Sequence, residues 1–165
     1  MGVIAAYSVD WANQAILFYL VSYLLASFAV FIVMSFAAKG DDAEPTLQHY
    51  QDFARRQPFL GGVLAVGLGS LAGIPPLGGF VAKLFIFVAA FQAGLYNLLG
   101  VAVLGVVISI YYYFGWIRMA FLSSPNGTEL EEATSVTLPL KDRLVMGVLV
   151  LATVLLGIYP ALLGL

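Results

Sequence analysis

Polar and charged residues cluster along this chain, and the apolar runs between the clusters set its architecture. Residues 1–14 hold a short apolar stretch and then Ser8, Asp10, Asn13 and Gln14. Residues 15–36 carry no charge, and at about 1.5 Å per residue they are long enough to span a hydrocarbon core of roughly 30 Å. A polar stretch, 37–58, follows, with Lys39, Asp41, Asp42, Glu44, His49, Asp52, Arg55 and Arg56. Within it, Thr46 to Arg56 predicts a short interfacial helix, with Leu47, Tyr50 and Phe53 on one side. Residues 59–93 are apolar again but interrupted at Pro75-Pro76. Residues 95–121 make a further apolar run that ends in Tyr111-Tyr112-Tyr113-Phe114-Gly115-Trp116-Ile117-Arg118. Residues 122–143 read as a polar loop, and 144–163 as a last crossing closed by Tyr159-Pro160.

The segment 59–93 admits two readings. Split at the prolines, it gives two helices too short to cross comfortably; kept together, it is one long crossing unwound at its centre. Loop charge decides between them, because Lys and Arg in short loops mark the cytoplasmic side. Two passes would divide the basic residues evenly, with Lys39, Arg55 and Arg56 on one side and Arg118, Lys141 and Arg143 on the other. One interrupted pass puts them all on one side. The expectation is therefore four crossings, at about 15–36, 59–93, 95–121 and 144–163, with loops 37–58 and 119–143 cytoplasmic and both termini opposite.

Composition supports this class. The chain is 62% hydrophobic and 10% charged, against about 45–50% apolar and about 25% charged in soluble domains. We read residues 1–165 as a single all-α transmembrane domain. The net charge of −2 gives no sign of nucleic acid as a partner. The chain has no cysteine, which excludes disulfides, thiolate metal sites and cysteine nucleophiles. Its start lacks the basic region of a signal peptide, so no cleaved leader is expected.

Candidate chemistry centres on the interruption. Lys83 is the only charge between Arg56 and Arg118. An ammonium at mid-bilayer costs at least about 2.5–3.5 kcal/mol, so such residues face a bundle interior or a hydrated path. Pro75 and Pro76 remove backbone donors, and Gly73, Gly78 and Gly79 let the chain bend, which together predict a hydratable notch. Discontinuous helices of ion-coupled transporters are built this way. A lysine whose hydration changes can accept and release a proton. No carboxylate lies in these segments to pair with it, and a lysine snorkelling to a headgroup is the plainer alternative.

Other residues have plainer readings. Ser22 and Ser27 are expected to bond the carbonyls four residues earlier. His49, among loop charges, reads as ordinary loop chemistry rather than a ligand. The tyrosine run fits an interfacial aromatic belt, although one member, Tyr112, could turn inward to line a water path together with Ser70.

The ordered blocks Ser70-Leu71-Ala72-Gly73-Ile74-Pro75-Pro76, Gly79-Phe80-Val81-Ala82-Lys83-Leu84-Phe85 and Tyr111-Tyr112-Tyr113 resemble the C-terminal part of subunit N of respiratory complex I, the proton-translocating NADH:quinone oxidoreductase. Phe18-Tyr19-Leu20-Val21-Ser22-Tyr23 and Phe53-Ala54-Arg55-Arg56-Gln57-Pro58 extend the resemblance over nearly the whole chain. Subunit M relatives tend to carry glutamate at the place of Lys83, and subunit L relatives follow the lysine with aspartate, so Lys83-Leu84 is most similar to subunit N. The resemblance implies an antiporter-like inverted-repeat bundle in a bacterial inner membrane, with Lys83 as proton relay and Gly73, Pro75, Pro76, Gly78 and Gly79 as the gate. It also implies that this chain is one membrane subunit of a translocase and performs no redox chemistry itself. NADH, flavin, iron-sulfur clusters and quinone would be held by other subunits, and no cofactor by this one. Partners would be other membrane subunits and an N-terminal antiporter-like half not present here. A subunit of a multisubunit cation/proton antiporter and a structural membrane scaffold remain as alternatives.

Overall fold

The computed structural model describes residues 11–37, 54, 57–121 and 138–163. They form five α-helices and no strand: α1 Ala12–Ala37, α2 Pro58–Ala72, α3 Gly78–Gln92, α4 Tyr96–Phe121 and α5 Leu140–Ile158, then a 3-10 turn at Pro160–Leu163. By length and apolar composition, α1 and α4 qualify as membrane spans, whereas α2 and α3 are shorter apolar helices of 15 residues each.

Local chemistry sets the ends of these helices. Pro58 opens α2, where its missing N–H costs nothing. Gly73 closes it at φ 90°, a left-handed conformation that glycine adopts without a Cβ clash. Pro75 and Pro76, joined by a cis peptide bond, cannot continue the helix. Leu77 is extended, at φ −80° and ψ 154°, and α3 starts behind it. The end of α5 falls at the expected Tyr159-Pro160 closure. Tyr159, restricted by the following Pro160, leaves the helical region at φ −128°, so the helix stops at Ile158 and 160–163 form the 3-10 turn. The same helix starts earlier than expected, since Lys141, Asp142 and Arg143 form its first turn rather than a loop, with Asp142 suited to the positive helix end. α1 likewise starts at Ala12, because Ala12 and Ala15 are buried while Asn13 and Gln14 point outward. The interfacial helix expected at 46–56 lies outside the described residues apart from Ala54, which is helical and buried.

Three apolar clusters stack along the bundle and fix its topology. At one end, Val30 and Val33 of α1 meet Leu60, Val63 and Leu64 of α2, Ala120 of α4 and Met146 of α5. In the middle, Phe18 of α1 meets Ala82 of α3 and Leu156 of α5. At the other end, Ala12 and Ala15 meet Ile86, Ala89 and Ala90 of α3, with Leu95 and Leu99 against them. The halves α2 and α3 thus run in sequence, end to end, antiparallel to α1. They make one interrupted crossing, as loop charge predicts. Lipid tails are as apolar as leucine, so it is packing rather than water exclusion that holds such helices together. Phe18, Leu64 and Met146 are fully buried for that purpose. The outward residues of α4, Val101, Leu104, Val107 and Ile108, are exposed and suited to lipid or a neighbouring helix.

The backbone turn between the halves is braced by α5. A Cβ at Gly157 would overlap the Pro76 carbonyl oxygen and the Leu77 backbone, so only glycine permits this approach. Gly79 lies equally close to the Ser70 carbonyl. Gly157→Ala is expected to destabilise the protein by about 1–3 kcal/mol, since the obstructing atoms are backbone. Gly147→Ala, in the same helix with nothing within 4 Å, is expected to be neutral or slightly stabilising. Thermal melting of the purified protein checks this, and equal melting of the two variants would refute the brace.

Candidate functional site

The site is the five-residue gap between α2 and α3, and its core is a reciprocal cap. The carbonyls in the last turn of α2 have no partners further along the helix. Those of Gly69 and Ser70 accept the Gly73 N–H at 3.0 Å each, and Gly69 also accepts the Ile74 N–H at 2.9 Å. The carbonyls of Leu71 and Ala72 are left over. Lys83, in the second turn of α3, reaches back across the gap and donates from Nζ to Leu71 O at 2.6 Å and to Ala72 O at 3.0 Å. In return, Ser70 Oγ of α2 accepts the Gly79 N–H in the first turn of α3 at 3.0 Å. Each half supplies the group that the other half's end lacks.

Magnitudes explain why the lysine tolerates this depth. A hydrogen bond to a charged group contributes about 1.5–3 kcal/mol. Two such bonds are of the size needed to offset an insertion cost of at least about 2.5–3.5 kcal/mol. The carbonyl end of α2, carrying the negative end of its dipole, attracts the ammonium further. Among the described residues the only carboxylate is Asp142, on the first turn of α5, so backbone oxygens take the place of a counter-ion.

Of the residues singled out from sequence, Ser70, Gly79 and Lys83 line one small cavity together with Tyr19, Ser22, Tyr23, Leu71 and Ala82. Gly73 packs directly on the lysine side chain, a Cβ there falling 3.3 Å from Nζ. Gly78 faces the other way, toward Thr153 and Leu156 of α5, with Ser22 Oγ alongside. Pro75 and Pro76 shape the turn and are exposed.

Lys83 also borders a groove of about 320 Å³ between α1, α3 and α4 that Tyr19, Tyr23, Ser109 and Tyr113 help to line, the Ser109 hydroxyl donating to Val106 O. Tyr112 lies in a wider groove of about 500 Å³ between α1, α2 and α4, which Lys83 does not line. Tyr113, one position on and about 100° round the helix, is the tyrosine of that run which shares the lysine's groove. Tyr19 and Tyr23 stack, with ring centroids 6.0 Å apart, as their four-residue spacing suggests.

Ser22 corrects the sequence reading. It is 1% exposed, and its Oγ has no hydrogen-bond partner. The hydroxyl lies beside Gly78 of α3 and makes no bond to a carbonyl of its own helix. Sequence alone carried no signal for this, because a serine in an apolar helix ordinarily satisfies itself locally. No cluster of metal-ligating side chains occurs among the described residues, and His49 lies outside them.

Comparison with known proteins places these features. A family described as "NADH:quinone oxidoreductase/Mrp antiporter, TM" matches residues 1–109. NADH-quinone oxidoreductase subunit N 1 of Opitutus terrae is 51% identical over 175 residues, which is 99% of this chain and 33% of that protein. Subunit N 2 of Syntrophobacter fumaroxidans is 41% identical over 147 residues, covering 89% and 30% respectively. Respiratory complex I from Thermus thermophilus, solved with bound aureothin, contains a chain that superposes with a TM-score of 0.75 at 30% identity, over 96% of this chain and 35% of that one. The chain thus spans about a third of the length of these relatives. With an interrupted crossing capped by its own lysine, and a family match over most of its length, the chain belongs to the membrane family of NADH:quinone oxidoreductase and Mrp antiporter subunits.

Proposed function

We propose that this chain is the C-terminal part of a proton-translocating subunit N in a complex I-type NADH:quinone oxidoreductase, and that Lys83 carries the proton past the interrupted crossing. The observation behind this is the Lys83 amine held on Leu71 O and Ala72 O beside a small cavity and a groove bordered by Tyr19, Tyr23 and Tyr113. An ammonium has three N–H donors, of which two point at carbonyls. The third is the one that can leave. After its release the neutral amine keeps two N–H bonds on α2, and its lone pair takes the direction the proton left. Proton exchange therefore proceeds on the cavity side without dismantling the cap. Redox chemistry, with its NADH, flavin, clusters and quinone, belongs to other subunits in this reading, and those subunits together with the rest of the antiporter-like bundle are the partners.

A second reading has a specific observation in its favour, since the same two bonds would make Lys83 a purely structural cap. Arginine separates the two readings, because it stays charged under all conditions in proteins while retaining donors for the carbonyls. Lys83→Arg in the assembled complex is expected to preserve assembly and to lower proton pumping by about 10²-fold, the order of a lost acid-base group. Pumping by that variant at the parent rate would overturn the relay. The cation/proton antiporter alternative is tested by co-purification, with NADH:quinone activity expected and sodium-dependent exchange without NADH opposing it.

We also propose the sidedness. The apolar cluster at the end shared by α1, α2, α4 and α5 sits beside Arg118, Lys141 and Arg143, and the Arg143 guanidinium lies 5.3 Å from the centre of the Phe59 ring. Basic residues at one end mark it as cytoplasmic, in a bacterial inner membrane. Residues 1–165 include no native cysteine, so each substitution introduces the one thiol within them. A membrane-impermeant maleimide is expected to label Lys141→Cys only from the cytoplasmic face and Asn97→Cys only from the opposite face; the reverse pattern would invert the assignment.

A further inference from the structure

The start of α3 is capped from outside itself. A helix leaves its first N–H groups without partners, and the residue just before it ordinarily supplies an oxygen to the second or third of them. Leu77 holds that position and makes no such bond, since its side chain carries no acceptor. The oxygen comes instead from Ser70, in the last turn of α2. Its Oγ accepts the N–H of Gly79, the second residue of α3, at 3.0 Å. Ser70 is fully buried, so solvent does not compete for this bond.

The register of the bond sets where Lys83 falls. Gly79 and Lys83 are four residues apart on one face of α3, and helical side chains lean toward the helix N-terminus. Pinning Gly79 on Ser70 therefore brings the side chain one turn further on back over Leu71 and Ala72, the next two residues of α2. Their carbonyls accept from Nζ at 2.6 and 3.0 Å. The approach is close: a Cβ at Gly79 would overlap the Ser70 carbonyl and fall 2.9 Å from Oγ.

We propose that Ser70 is the positioning residue for Lys83: by capping α3 from α2, its hydroxyl fixes the rotation and depth at which α3 starts and so holds the lysine on the two carbonyls. Without that hydroxyl the Gly79 N–H is buried with no acceptor, a state that the first turn of α3 relieves by turning or sliding. Either movement carries Lys83 off at least one carbonyl. The expected effect on pumping rests on the proposed relay, whereas the placement of Lys83 does not.

The test is Ser70→Ala and Ser70→Thr in the assembled complex, each read by a cryo-electron microscopy map of the break and by protons pumped per NADH oxidised. That ratio does not depend on how much complex assembles. Alanine is expected to move Nζ beyond hydrogen-bond distance, about 3.2 Å, of Leu71 O or Ala72 O, and to lower pumping about tenfold, the size of one lost hydrogen bond. Threonine, which keeps the hydroxyl, is expected to leave the lysine in place and pumping near the parent value. Should alanine prevent assembly, Ser70→Cys, similar in size but a weak acceptor, carries the same expectations at smaller amplitude. Ser35→Ala, which removes a hydroxyl bonded to Ile32 O of its own helix, is expected to change neither readout. Lys83 still on both carbonyls without the serine hydroxyl overturns the positioning role, and so does threonine displacing it as alanine does. Lys83 displaced with pumping at the parent level upholds the positioning role and overturns the relay instead.

Discussion

A broken helix within a bilayer must satisfy the backbone groups it frees, and everything else near the gap follows from how that is done. In hydrocarbon each unsatisfied group costs several kcal/mol. Here the leftover carbonyls of α2 are answered by a side chain of α3, and an amide of α3 by a side chain of α2. The exchange demands a short gap, because Lys83 must reach back and Ser70 must reach forward. It also demands glycine at position 79, where the Ser70 carbonyl lies against the Cα. The prolines enforce the interruption but take no part in the exchange, and they stay at the outer edge of the turn.

Support for this arrangement comes from both neighbours. α1 lies along the whole interrupted crossing, with its early residues against α3 and its late residues against α2. α5 approaches the turn so closely that Gly157 meets the Pro76 carbonyl. The gap is thus clamped between an uninterrupted helix and a glycine-backed one. α4 packs less tightly, with only Ala120 buried, and its separation from α1 and α3 opens the grooves beside the lysine.

Much of this was legible in the sequence. The charge asymmetry of the loops resolved the ambiguity of 59–93, because the positive-inside rule acts on the chain as a whole while helix length does not discriminate at 15 residues per half. The ordered blocks around Lys83 carried the family. What escaped was direction. A proline pair marks that a helix stops but not where the next side chains point, so the return reach of Lys83 to Leu71 and Ala72 could not be read from spacing. The same holds for Ser22, whose hydroxyl lacks the local bond a helical serine ordinarily makes and lies beside Gly78, a neighbour it has only once α3 has packed. The helix start misjudged at Leu140 has another cause: charge marks the membrane boundary, whereas backbone geometry marks the helix boundary, and here the two differ by about one turn.

Lys83 sits near mid-length of the crossing, level with the central apolar cluster of Phe18, Ala82 and Leu156. A charge held there has traversed only part of the transmembrane field. Moving one elementary charge fully across costs about 2.3 kcal/mol for each 100 mV, so the occupancy of a mid-depth ammonium responds to voltage by about half of that. The carbonyl end of α2 is thereby more than a cap. In the proposed relay it fixes the electrical depth of the charge, and with it the fraction of the membrane potential felt on the way in and on the way out.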